Sequence, residues 1–241
     1  MTIDRFFEGI GFYKDAAKTV VEKAKKIAPE SFDLGRICEL DYERALAVCC
    51  YLSVAAHEQY KERGISDRIY FDTFKDLTIW AKVCYDLYGV WGLKESAWLA
   101  QHIKLNLFRL GRLQFLPNET ALTVHIPDDG RLYYEECVKS YSAAVDFFAG
   151  REPVFTCETW LLNENLKQLL SPDSNILRFA GDFTVTEGDP DNRQAEERVF
   201  NFRLQDDPSL YPQNTSLQRK LRQYLMDGGK MGTKFGTYYF K

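Results

Sequence analysis

The sequence is poor in the residues from which most metal and redox centres are built. Its three histidines, His57, His102 and His125, are spread widely through 241 residues. That spacing excludes an HExxH-type pair and leaves no metal-ligand pattern. Six cysteines (Cys38, Cys49, Cys50, Cys84, Cys137 and Cys157) include no CxxC. Most sit in apolar periodic segments and read as small buried hydrophobes, not as a disulfide framework or a zinc site. No apolar run approaches the roughly 20 residues that cross a bilayer. The polar opening MTIDRFFEGIGFYKD lacks a secretory core, so a cytoplasmic location is expected. Basic charge is not in excess: 31 Lys and Arg stand against 35 Asp and Glu, a net charge of −4. That balance argues against nucleic acid or an anionic membrane as partner. Oligomeric state is not legible.

What is present is a chain with 45% hydrophobic and 27% charged residues, enough for one large core or two small ones. From Asp15 to Leu105 the pattern is helical. Tyr42–Tyr60 carries Leu46, Cys49, Cys50, Leu52 and Ala56 at three- and four-residue steps, and Asp72–Tyr88 does the same with Phe74, Leu77, Trp80, Cys84 and Leu87. Asp67 and Asp72 are candidate caps. Gly89 and Gly92 separate a further helix, Glu95–Leu105, so three or four packed helices are expected.

Beyond residue 105 the period shortens and turn residues multiply. Arg109–Phe115 and Ala121–Ile126 predict a hairpin through the loop Leu116–Thr120, with Leu122, Val124 and Ile126 on one face and Thr123 and His125 on the other. The polar loop Asp128-Asp129-Gly130 leads into an amphipathic helix, Leu132–Phe148. A strand at Val154–Leu162, a short helix Asn165–Leu170, and a segment Ile176–Thr186 follow. Arg198–Leu204 reads as a return strand after the acidic loop Glu187–Glu197. Thr215-Ser216-Leu217-Gln218 is a capping box opening a helix to about Met226, and GTKFGTYYF supplies a last strand. Short connections favour mostly antiparallel neighbours.

The stretch Leu107–Pro153, strand to polar loop to helix, is the most informative. A short loop feeding a helix places backbone N–H groups where the helix dipole favours phosphate or carboxylate. Read alone, Asp128-Asp129-Gly130 is equally a plain turn with capping acids.

With these elements placed, the chain resembles the two-part bacterial family of GNAT-like N-acyltransferases. The matching residues are Gly89-Val90-Trp91-Gly92-Leu93, Trp98-Leu99, Leu107–Phe115, His125-Ile126-Pro127, Trp160-Leu161-Leu162, Ser174-Asn175-Ile176 with Phe179 and Phe183, and Thr215–Arg219. The resemblance implies an α+β fold: a helical N-terminal module over residues 1–106, then, over 107–241, a GNAT-like mixed, mostly antiparallel sheet flanked by helices. It implies acyl-coenzyme A as co-substrate, its pantetheine arm in a notch of the sheet, and direct acyl transfer to a small-molecule or peptide amine. Ile126, Pro127, Gly130 and Arg131 would contact the cofactor. The usual loop, R/QxxGxG/A, is replaced here by Pro127-Asp128-Asp129-Gly130-Arg131. An alternative is therefore a catalytically inactive GNAT-derived protein that binds a ligand or partner.

Transfer to an amine needs a base for the amine proton and an acid for the departing thiolate. His125, at the end of the central strand, has an intrinsic pKa suited to a base, and Glu158 and Tyr141 are the other candidates. In the family the position of Glu158 often carries His and that of Thr159 carries Ser. Cys157 lacks a visible basic partner and reads as packing. Arg112 and Arg219, with Trp160, are candidates for the substrate cleft, since guanidinium suits anions. Surface charge, an ion pair or core packing is the plainer reading of each. Arg109 is ambiguous in the same way. No metal is expected.

Overall fold

The computed structural model of the chain describes residues 1–28 and 31–241. The helical expectation at Pro29-Glu30 lies outside the described residues. The chain divides into two compact units, residues 1–116 with 126–130, and residues 117–125 with 131–241.

The first unit holds α1 (Ile3–Gly9), α2 (Lys14–Ala24), α3 (Tyr42–Glu62), α4 (Asp67–Phe74), α5 (Asp76–Tyr88), α6 (Ser96–Ile103) and the strands β1 (Phe108–Leu110) and β2 (Leu113–Pro117). The helices outnumber the three or four expected: α1 precedes the helical region read from the sequence, and the Asp72–Tyr88 stripe is the end of α4 and all of α5, broken at Lys75. Ser66, not Asp67, caps α4 by accepting from Ile69 N–H at 3.4 Å, which frees Asp67 to bond His57 at 2.8 Å. α3 is the central rod. It buries Leu46, Val48, Cys49 and Cys50, and its Tyr60 packs edge-to-face at 5.1 Å on Tyr70 of α4. One polar cluster is sealed in this core. Asp76 accepts from Trp98 Nε1 at 3.1 Å and faces His102 Nε2 at 3.1 Å. Burial alone would raise the Asp76 carboxyl, but these hydrogen bonds outweigh it and hold it below the usual aspartate range.

β1 and β2 pair antiparallel with Leu110 opposite Leu113. The tight turn is therefore at Gly111-Arg112, inside the segment expected to be a single strand. Apolar residues fall on both faces of LFRLGRLQFL, so no alternation marked the reversal. Gly111 sits at φ +79, a left-handed conformation that only glycine adopts freely.

The second unit holds β3 (Leu122–His125), α7 (Tyr134–Phe147), β4 (Val154–Thr159), α8 (Leu166–Leu169), α9 (Asn175–Gly181), β5 (Thr184–Thr186), α10 (Gln194–Val199), α11 (Ser216–Met226) and β6 (Lys234–Tyr239). Its strands lie in the order β3-β4-β6-β5. The sheet is mixed: β3 runs parallel to β4, while β4 with β6 and β5 with β6 are antiparallel. The expected α+β class, with helices first and a mixed, mostly antiparallel sheet after them, holds. The expected return strand Arg198–Leu204 does not. Asn192 Oδ1 accepts from Gln194 N–H at 2.9 Å and Arg193 pairs with Glu196 at 2.7 Å. These contacts wind the segment into α10, after which Asn201 and Phe202 turn through φ +54 and +62. Ile176–Thr186 likewise splits into α9 and β5.

One face of this sheet is packed. Leu122, Val124, Phe155 and Cys157 are buried on it, and Tyr141 of α7 meets Phe155 at 4.8 Å and Tyr238 at 5.2 Å. The other face carries Thr123, His125, Thr156, Glu158, Phe235 and Thr237, none of them buried. α11 opens with the expected capping box: Thr215 accepts from Gln218 N–H, and Gln218 reaches back to the Thr215 N–H. Thr215→Ala is expected to cost about 1 kcal/mol, the typical worth of such a cap, read as a lower urea midpoint with unchanged slope.

Candidate active site

Alternation along the strands decides which side chains meet. Thr123 pairs with Thr156 in the β3–β4 register, and their hydroxyls lie 3.4 Å apart. Two residues further, His125 and Glu158 share the same accessible face. The sheet changes there. The β3–β4 register covers Leu122↔Phe155 and Thr123↔Thr156 and, among the described residues, is not continued at Cys157–Thr159. Those three residues keep their partners on β6, Gly236, Phe235 and Lys234. β4 thus stays with β6 where its register with β3 ends, at the level of Val124 and His125.

Backbone groups beyond a paired register need other partners. At Val124 the partner is the Cys157 thiol, which donates to the carbonyl at 3.4 Å. Burial pushes this thiol up to about 12, so it stays protonated at neutral pH and is a hydrogen-bond donor, not a nucleophile.

The structure separates the proton-moving candidates. His125 is half-buried at the end of β3 and Glu158 is exposed on β4, where Oε1 accepts from Thr233 Oγ1 at 3.2 Å. Tyr141 lies on the packed face, so the sheet itself stands between it and the other two. Its hydroxyl is pushed far above the ordinary tyrosine value by burial, so it keeps its proton at neutral pH. Trp160 is buried in the short helical turn after β4, its backbone N–H donating to Gln194 Oε1 at 3.1 Å. Arg219 donates to the Gln213 carbonyl on the surface.

The loop after β3 belongs to the first unit. Asp129 is held there by three cations: Arg109 makes a bidentate pair at 2.7 and 3.2 Å, and Arg112 and Lys75 stand at 3.7 and 3.5 Å. Burial works against the Asp129 charge, but the Arg109 hydrogen bonds prevail and keep its carboxyl below the usual range. Of the two acids that interrupt the usual glycine-rich pattern, this one is therefore neutralised. Arg112 also donates to the carbonyls of Pro127 at 2.9 Å and Gly130 at 3.0 Å. A trans peptide points its C=O and the next N–H in opposite directions. Drawing both carbonyls onto Arg112 therefore turns the N–H groups of Asp128 and Arg131 to the other side. Gly130, at φ +143, takes a backbone shape that a side chain would strain.

Arg112 is thus a clasp on the loop, and neither its sequence position nor its charge distinguished that from a substrate contact. Sequence reasoning missed Thr233 altogether. Its only signal was a hydroxyl between Gly232 and the last strand.

The N-terminus of α7 is a poorer anion site than the sequence suggested. Its first turn carries Glu135 and Glu136, and the Tyr134 N–H donates to Asn175 Oδ1 at 3.3 Å. A phosphate would meet carboxylates there.

Comparison with known proteins gives a consistent picture. The family model of the N-acyltransferase N-terminal domain matches residues 12–105, and that of the GNAT-like C-terminal domain matches residues 107–238. No curated protein matches. Among solved structures, an acyltransferase in complex with decanoyl-CoA and teicoplanin aligns with TM-score 0.85 at 22% identity, covering 99% of this chain and 87% of that one. The same figures describe an acyltransferase in complex with CoA and 10C-teicoplanin. An acyltransferase bound to decanoyl-CoA aligns at TM-score 0.81 and 20% identity over the same shares of both chains. Likeness at this identity carries the fold, and the family models carry the kinship: the chain belongs to the family that joins an N-acyltransferase N-terminal domain to a GNAT-like C-terminal domain.

Proposed function

We propose that the protein transfers an acyl group from acyl-coenzyme A to an amine, with the boundary between its helical and GNAT-like modules near residue 106. The observation that carries this reading is the end of the β3–β4 register beside His125, where the resemblance puts the notch for the pantetheine arm. A strand edge offers hydrogen-bonding groups to an extended ligand containing amides, and pantetheine is such a ligand. The loop that follows β3 in the chain, with Gly130 and the N–H groups of Asp128 and Arg131, is the candidate cradle for the pyrophosphate. Ile126 and Pro127 lead into it. Trp160 and Arg219 stay as candidates for the outer cleft only through their resemblance to the family.

In this reading His125 takes the proton as the amine nitrogen attacks the thioester carbonyl. The new C–N bond forms, the C–S bond breaks, and coenzyme A leaves as the thiol. Starting from the ammonium, one proton ends on the thiol and one is released. The acyltransferases of similar fold bind acyl-CoA and teicoplanin, which supports a small-molecule or peptide acceptor. The protein is taken to act as a soluble enzyme in the cytoplasm, without a metal.

The competing reading, a GNAT-derived protein without activity, draws support from the carboxylates at the start of α7. Thermal unfolding with acetyl-coenzyme A and with desulfo-coenzyme A separates the two. Cofactor at about 100 times its dissociation constant stabilises by about 2.7 kcal/mol, so a clear rise in Tm is expected, lost in Gly130→Asp. No rise at millimolar cofactor would exclude the acyl-coenzyme A reading.

A further inference from the structure

The accessible face of the second unit's sheet holds a group of side chains that proton transfer does not explain. Glu158 faces Phe235 directly across the antiparallel β4–β6 pair, which places their Cβ atoms about 4.5–5.5 Å apart. Phe235 is a large hydrophobic residue that is 38% exposed in mid-strand. Burying it would be the ordinary choice, since a phenyl ring gains much by leaving water. The carboxylate beside it is held by one hydrogen bond. Thr233, only 2% exposed, donates to Glu158 Oε1, and its own N–H is fixed on the Asp189 carbonyl at 3.0 Å.

That fixing is built into the chain. A Cβ on Gly188 would stand 2.3 Å from the Thr233 carbonyl oxygen, and one on Gly232 would stand 2.3 Å from the Asp189 carbonyl oxygen. The two backbones approach this closely because both positions are glycine. The result is a buried hydroxyl aimed at a solvent-exposed carboxylate.

We propose that Glu158 and Phe235 form the capture site for the acceptor, and that the acceptor arrives as a primary organic ammonium. An oriented carboxylate next to an exposed aromatic face is complementary to such a cation, through a charge-assisted hydrogen bond and a cation–π contact. A neutral alcohol or an anion finds no equivalent match. Thr233 is a positioning residue that holds the carboxylate toward the face on which His125 also lies. This inference rests on the acyl-transfer reading for its meaning, but the site itself is independent of coenzyme A.

The test uses the full chain without any acyl donor, so its failure is distinct from a failure to bind coenzyme A. Butylammonium and its neutral counterpart, butanol, are compared by saturation-transfer NMR titration. Butylammonium is expected to bind and butanol not. Glu158→Gln and Phe235→Leu should each weaken butylammonium about tenfold or more, consistent with losing a charge-assisted or cation–π partner. Thr233→Val should weaken it less, and Thr233→Ser, which keeps the hydroxyl, should restore it. A merely structural role for Thr233 would not give that rescue without a change in Tm. Absence of butylammonium binding, equal binding of butanol, or affinities unmoved by Glu158→Gln and Phe235→Leu would each overturn the proposal.

Discussion

Replacing His125 by alanine is expected to lower kcat by about 10²- to 10⁴-fold, the contribution of a positioned general base, while the Tm shift given by desulfo-coenzyme A stays as in the unaltered protein. The reasoning is geometric. His125 is the last residue of β3, on the accessible face, where the β3–β4 register has ended. A ligand threaded past the end of the β3–β4 register would bring its thioester close to this residue. Removing the ring takes away the proton acceptor but none of the backbone groups that hold the donor. The split between catalysis and binding is what distinguishes a base from a structural histidine. If kcat falls less than about tenfold, His125 is not the base in this sense. If coenzyme A binding falls with it, the ring is part of the notch wall.

The sequence made some of this legible and hid the rest for identifiable reasons. The switch from helical to alternating periodicity near residue 105 located the helices and the sheet, because burial imposes those periods directly. The capping box at Thr215–Gln218 was legible for the same kind of reason, since both partners are local. His125 and Glu158 could be assigned to strands, but not to one face of one sheet. That depends on which strand β3 pairs with and in what register, a long-range choice that local periodicity does not record. The return strand predicted at Arg198–Leu204 failed because an Asn192–Gln194 turn contact and an Arg193–Glu196 pair favour α10 over extended chain. Tyr141 looked eligible by chemistry, and its burial on the packed face was not legible from the helical stripe that carries it.

The surroundings of Asp128-Asp129-Gly130 were also hidden in the sequence. Counted as charge, two aspartates disfavour a pyrophosphate. In the fold, Asp129 is turned onto Arg109, Arg112 and Lys75, all of the first unit, and the same Arg112 orients the loop carbonyls. A sequence motif search looks for glycines in the loop. The means used here to shape it is an arginine on the β1–β2 turn, far enough away in sequence that no loop pattern records it.

The strength of that arrangement can be measured through Arg109. Its side chain is 9% exposed and that of Asp129 is 12% exposed, so the pair is close to a buried one. Arg109→Ala is expected to destabilise the protein by about 3 kcal/mol, because removing one partner of a buried ion pair leaves the other charge uncompensated. Lys75 and Arg112 offset part of the loss. The effect should depend on pH in one direction. The folded Asp129 carboxyl titrates below its unfolded value, so the stability it contributes is complete above the ordinary aspartate pKa and is lost as pH falls through the folded one. Urea unfolding of the unaltered protein and Arg109→Ala should therefore differ most near neutrality and converge on acidification. Replacing both partners, Arg109→Met with Asp129→Leu, should recover much of the stability, since well-packed apolar residues often substitute for a buried pair without net loss. The double variant should still fail to bind coenzyme A as tightly, because the loop would keep the Arg112 clasp but lose its second anchor. A loss below about 1 kcal/mol for Arg109→Ala would place the pair among ordinary surface salt bridges, and the loop would then owe its shape to Arg112 alone.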